Sequence, residues 1–253
     1  TVRLSAAASG SAAASKNGLL RQADEARASK DQAGSPNRSA SEPTCWYTLS
    51  AVAVGALLIC EYRNARPALG IAKLTASTAF VGLAVVLGAT DSIVGQILLI
   101  GLVLCWLGDA LLVPAGQSRS FQLGIAAFLL GHVAYAVAFL RWAVDPGALV
   151  GALVVMAFCG GLALRWLRPK VPTDFQLPVV AYILVIGAMC ACAISATWAG
   201  APLHIAAGAL LFAASDLSVA RDRFVQPSFV NAAWGLPAYF AAQMVLANSI
   251  GML

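Results

Sequence analysis

Four ionisable residues lie inside apolar runs, where charge is costly: Lys73, Asp109, His132 and Asp216. A charged side chain at bilayer depth costs about 2.5–3.5 kcal/mol on insertion scales, so a residue of this kind marks chemistry or an ion path by default. Two carboxylic acids suit proton transfer, charge stabilisation or an ion relay. A lysine adds a counterion or an anion-binding ammonium, and an imidazole can carry a proton near neutral pH. Other polar groups accompany them at helical spacing. Tyr135 follows His132 by three residues, and Tyr239 and Gln243 stand four apart, so each pair shares a helix face. Tyr182 lies within a further apolar run.

These residues emerge by subtraction from 16 basic and 11 acidic side chains. Asp24, Glu25, Asp31 and Glu42 belong to a polar N-terminal stretch. Glu61, Asp91, Asp145, Asp174 and Asp222 fall at the ends of apolar runs or between them. His204 stands near the end of one run, whereas His132 is deep in another. At about 1.5 Å per residue, Lys73 lies roughly 9 Å, and Asp109 and Asp216 roughly 6 Å, from the same membrane face. Each also has a purely structural reading. Lys73 can pair with an aspartate or extend to the headgroups, and the aspartates can form an ion pair or a neutral hydrogen-bonded acid. His132 can be a satisfied core imidazole, and Tyr135, Tyr182, Tyr239 and Gln243 can join helices by hydrogen bonds.

The elements that must position these groups follow from composition. The 253 residues are 60% hydrophobic and 11% charged, with a mean hydropathy of +0.81. A soluble surface needs about 25% charged residues, so most of this chain faces lipid. A net charge of +5 without a dense basic patch gives no footprint for nucleic acid. From Trp46 onward, runs of about 20 apolar residues alternate with short polar joints. Eight spans are expected, at 45–60, 68–87, 93–113, 121–140, 147–164, 177–198, 202–220 and 229–252. The expected fold is therefore all-α, a polytopic transmembrane helix bundle over residues 45–253. Residues 1–44, rich in Ala and Ser, read as a disordered tail. The joints after spans 1, 3, 5 and 7 hold Arg63, Arg66, Arg119, Arg165, Arg168, Lys170, Arg221 and Arg223, against Arg141 alone on the other side; this bias assigns the first set to the cytosol. The six cysteines read as free thiols, with no zinc-ligand spacing among them.

Spans 3 and 7 share a sparse pattern. Gly101, Leu104 and Asp109 recur as Gly208, Leu211 and Asp216 at a constant offset, as parallel repeats about the membrane normal would require.

The stretches GLVLCWLGDALLV (101–113), FLLGHVAY (128–135), LPVVAYIL (177–184), GALLFAASDLSVARDRF (208–224) and AYFAAQMVL (238–246) resemble the YhhN/TMEM86 family of multi-span membrane proteins, whose characterised members are lysoplasmalogenases. The family pattern falls on Lys73, Asp109, His132, Tyr135, Tyr182, Asp216, Tyr239 and Gln243. One departure is Leu74, where many relatives carry a proline shortly after the lysine. The resemblance implies a multi-pass membrane hydrolase that cleaves the vinyl-ether bond of a lysophospholipid, releasing a fatty aldehyde and a glycerophospho-ethanolamine or -choline. Such cleavage proceeds by protonation at carbon and capture of an oxocarbenium ion by water, which calls for an acid and a stabilising anion. Asp109 and Asp216 would supply these in an order the sequence leaves open. His132 would assist proton transfer; Lys73, Tyr135, Tyr182, Tyr239 and Gln243 would bind substrate. No cofactor or metal is implied, and the expected partners are the lysophospholipid and membrane lipids. An intramembrane aspartyl protease fits less well, because Trp106-Leu107-Gly108-Asp109 lacks the first glycine of GxGD. Neither G-x-S-x-G nor H-E-x-x-H occurs. A proton- or ion-coupled transporter using the same charges is the competing non-enzyme reading.

Overall fold

A computed structural model describes residues 41–113 and 119–253. Among them are eight long helices: α1 (Ser41–Tyr62), α2 (Arg66–Val86), α3 (Ile93–Leu111), α4 (Arg119–Trp142), α5 (Pro146–Leu167), α6 (Thr173–Trp198), α7 (Leu203–Phe224) and α8 (Phe229–Asn248), followed by a short 3-10 turn, Ser249–Met252. Each helix corresponds to one expected span. The first expected span was short; α1 begins earlier, at Ser41, so the last residues assigned to the tail are helical. Residues 1–40 of that tail lie outside the described residues.

Seven of the helices are long and apolar enough to cross a membrane, and the chain is a multi-pass integral membrane protein. The eighth, α8, is as long but more polar, carrying Asn231, Tyr239 and Gln243, all buried against its neighbours. Its polarity is directed inward, which a hydropathy average does not distinguish from polarity facing lipid.

Short joints set the helix ends. Ser92 caps α3 by accepting from Gly95 N at 3.0 Å, and Asp145 caps α5 by accepting from Ala148 N at 2.7 Å, with Pro146 opening the helix. The ends of α2 and α6 repeat one motif. Gly88 and Gly200 adopt positive φ, 87° and 105°, and the flanking amides bond backwards identically: 87 to 83, 88 to 85 and 89 to 84, then 199 to 195, 200 to 197 and 201 to 196. A left-handed residue closing a helix in this way favours glycine.

The repetition extends to packing. Helix α3 lies along α4 as α7 lies along α8; α2 meets α3 as α6 meets α7; and α2 meets α8 as α6 meets α4. These relations close α2, α3, α4, α6, α7 and α8 into a ring in which each half of the chain occupies equivalent places, the arrangement of parallel repeats. Helices α1 and α5 stand outside the ring. Only 6% of the most apolar stretch of α5 is buried, against 44% for α2 and α4, and α5 packs along α6.

The ring interior is aromatic. Phe128, Phe212 and Tyr239 meet edge to face, with centroids 5.3–6.5 Å apart, a geometry that favours aromatic pairs beyond simple area burial. Small residues let the helices approach. A Cβ on Gly101 of α3 would enter the ring of Tyr135, which is fully buried on α4. Gly101→Ala is therefore expected to cost roughly 1–3 kcal/mol, as overpacking does. A lower thermal midpoint of the detergent-purified protein would register it; an unchanged midpoint would mean the Tyr135 ring can move aside.

Candidate active site

Asp109 is held near the C-terminal end of α3 by three side chains. Lys73 Nζ of α2 lies 3.1 Å from Oδ1, with the lysine 13% and the aspartate 2% exposed. Ser77, one turn further along α2, donates to Oδ2 at 2.5 Å, and Tyr239 of α8 donates to the same oxygen at 2.7 Å. The two carboxyl oxygens thus share one ammonium and two hydroxyl partners.

Asp216 on α7 has a different environment. Tyr182 of α6 donates to its Oδ2 at 3.0 Å, and His132 Nε2 of α4 lies 3.4 Å from the same oxygen. That approach lacks hydrogen-bond alignment, so Nε2 is buried without a bonded partner. The other imidazole nitrogen, Nδ1, is 2.6 Å from the Phe128 carbonyl oxygen. A carbonyl only accepts, so Nδ1 carries a hydrogen, and the tautomer is fixed by its backbone neighbour. Nε2 and Oδ2 then face each other as two acceptors unless one of them holds a proton. Asp216 is the more open acid, at 20% exposed.

Both aspartates line one cavity of about 510 Å³ together with Lys73, Tyr182 and Tyr239, a volume within the range of small-molecule sites. Its walls are otherwise mainly apolar, from Met156 of α5 and Ile186 of α6 to Leu112 at the C-terminal cap of α3. It extends towards the helix ends at Phe121, Phe175 and Arg223, the side that carries the basic joints. His132 stands behind Asp216. Tyr135 and Gln243 bond each other at 2.8 Å, Tyr135 donating to Oε1; both are buried and outside the cavity lining. Of the eight residues singled out in the sequence, five thus line the cavity, one supports a lining acid and two form a buried tie beside it.

Sequence reasoning missed Ser77. Its signal was available, a hydroxyl four residues after Lys73 on the same face. Among the described residues, no group of three His, Cys, Asp or Glu side chains is arranged to hold a metal.

The model of the YhhN family matches residues 69–250. Lysoplasmalogenase TMEM86A of Bos taurus is 35% identical over 157 residues, covering 59% of this chain and 63% of that protein. Lysoplasmalogenase TMEM86B of Homo sapiens is 35% identical over 157 residues, 61% of this chain and 63% of the relative. A Lysoplasmalogenase of Mycobacterium tuberculosis (strain CDC 1551 / Oshkosh) is 32% identical over 146 residues, 55% of this chain and 54% of the relative. The chain therefore spans rather less than two thirds of the length of these relatives. No solved structure matches.

Proposed function

The chain belongs to the YhhN family, and from that premise we propose that it is a lysoplasmalogenase-like membrane hydrolase with two aspartates in unequal roles. The observation that carries the reading is their different company in one cavity: Asp109 beside an ammonium, Asp216 beside an imidazole. Relatives named lysoplasmalogenase over the matched region support the substrate class.

The substrate is a vinyl ether, R–O–CH=CH–R′. Asp216 delivers a proton to the β carbon, forming the oxocarbenium ion R–O⁺=CH–CH₂–R′. His132, its Nδ1 held by the Phe128 carbonyl, relays a proton through Nε2 to Asp216 and takes one back after water adds. Asp109 cannot easily donate, because protonating it would leave the Lys73 ammonium without its counterion. It remains the anion that stabilises the cation and orients water, as the second carboxylate does in glycosidases. Water adds to the oxocarbenium carbon, and the hemiacetal expels R–OH to leave the aldehyde. Tyr182 and Tyr239 fix the carboxylates through their hydroxyls. The apolar walls accommodate the hydrocarbon chain.

Solvent deuterium tests this sequence directly. Purified protein turning over a lysoplasmalogen in D₂O should release an aldehyde carrying one deuterium at the carbon next to the carbonyl, trapped by immediate reduction. Aldehyde without that label would rule out protonation at carbon. No aldehyde at all, with substrate-dependent ion flux in proteoliposomes, would replace the hydrolase reading with a transporter.

A further inference from the structure

The same cavity carries a second polar pair at the helix ends, away from the aspartates. Arg223, in the last turn of α7, lines it. Its guanidinium carbon lies 4.4 Å from the ring centroid of Phe121, which is itself buried among Leu167, Val171 and Phe175. The planar cation is thus held on a packed aromatic base. No carboxylate among the described residues pairs with it. The adjacent acid, Asp222, also lines the cavity but is bonded to other partners, its Oδ1 accepting from Ser228 N and from Asn231 Nδ2, each at 3.0 Å.

Asn231 lines the cavity too and is 1% exposed. Its amide nitrogen donates to Asp222 and, at 2.7 Å, to the Gln226 carbonyl. Both are acceptors, so the amide cannot be flipped without losing two bonds. Its Oδ1 is left buried with no partner, and a buried acceptor of this kind costs about 1–3 kcal/mol unless a donor meets it. An oriented guanidinium without a carboxylate partner and an acceptor without a donor thus line the same cavity.

We infer that Arg223 and Asn231 form a glycerophosphate-binding site, Arg223 taking the phosphodiester oxygens and Asn231 Oδ1 accepting from the free glycerol hydroxyl. This rests on the lysophospholipid reading above and adds to it the part of the substrate remote from the reacting bond. Guanidinium recognises phosphate through paired donors. A free hydroxyl next to the phosphate-bearing carbon distinguishes a lyso lipid from its diacyl counterpart, which has no donor to offer Asn231. Lys73, committed to Asp109 at 3.1 Å, is less free to hold the phosphate.

The test measures binding of saturated 1-O-alkyl analogues, which cannot turn over, so it stands apart from the proposed reaction. Arg223→Gln should weaken a 1-O-alkyl-glycerophosphoethanolamine by about 10–100-fold and leave the matching 1-O-alkylglycerol unchanged, with Arg223→Lys intermediate. On the unaltered protein, methylating the glycerol hydroxyl of the phospholipid analogue should weaken binding by about 10-fold. Equal loss for both analogues in Arg223→Gln, or no loss in either, would assign Arg223 to the surrounding bilayer headgroups and overturn the site. Full affinity for the methyl ether would remove Asn231 from it. If these affinities behave as expected while a vinyl-ether substrate yields no aldehyde, the hydrolase reading fails and the binding site stands.

Discussion

Replacing Asp216 by Asn is expected to reduce aldehyde release from a lysoplasmalogen by roughly 10²–10⁴-fold, the range that a positioned proton donor contributes. An amide has the shape of the acid but no proton to give a carbon. The fold should tolerate it. With its amide oxygen in the place of Oδ2 the asparagine still accepts from Tyr182, and the side chain is 20% exposed. A thermal midpoint within a few degrees of the parent protein, together with near-normal substrate affinity, would place the loss in the chemical step. Retention of full turnover would exclude Asp216 as the acid, and a collapse of the fold would make its role structural.

Asp109→Asn should behave differently, because its effect runs through Lys73. Removing the carboxylate leaves an ammonium only 13% exposed beside a neutral amide, and breaking a buried pair from one side costs about 3–5 kcal/mol. The single variant is therefore expected to lose both activity and thermal stability. Pairing it with Lys73→Met removes the stranded charge and should restore most of the midpoint, since an apolar replacement of a buried ion pair is often neutral. Activity should remain absent, because neither change returns an anion to the cavity. Recovery of turnover in the double variant would show that the ion pair serves packing alone. Failure of the midpoint to recover would mean that Ser77 and Tyr239, which also bond Asp109, carry more of the stability than the charge does.

The helices and the four ionisable groups within them were legible in the sequence because lipid enforces a sharp rule. Every charge that remains within an apolar run must be compensated, and subtraction finds it. Pairing was not legible. Nothing in the spacing tells that Lys73 belongs to Asp109 and His132 to Asp216, since partners on different helices are chosen by the packing of the ring. The likeness of the two halves was only faintly visible, through Gly101, Leu104 and Asp109 against Gly208, Leu211 and Asp216. The structure makes it plainer in the neighbour relations and in the matched turns at Gly88 and Gly200. Helix packing and helix closure constrain backbone more than identity, so both survive where side chains have diverged. The side chains beside the two acids differ, lysine and serine against tyrosine on α2 and α6, and tyrosine against histidine on α8 and α4. Ser77 was overlooked for a related reason: a small hydroxyl in a helix of small residues gives no sign of being aimed at an acid.

His132 and Tyr239 each stand 23 residues beyond an aspartate of their own half of the chain, Asp109 and Asp216, yet each serves the other one. Asp109 takes its tyrosine from the second half, and Asp216 takes its imidazole from the first. This crossing makes the halves interdependent in a way that sharing a membrane does not. A fragment ending after α4 would own Asp109 and His132, which never meet, and a fragment beginning at α5 would own Asp216 and Tyr239, which do not meet either. Two such fragments produced separately and mixed can assemble a working centre only by restoring both crossings at once.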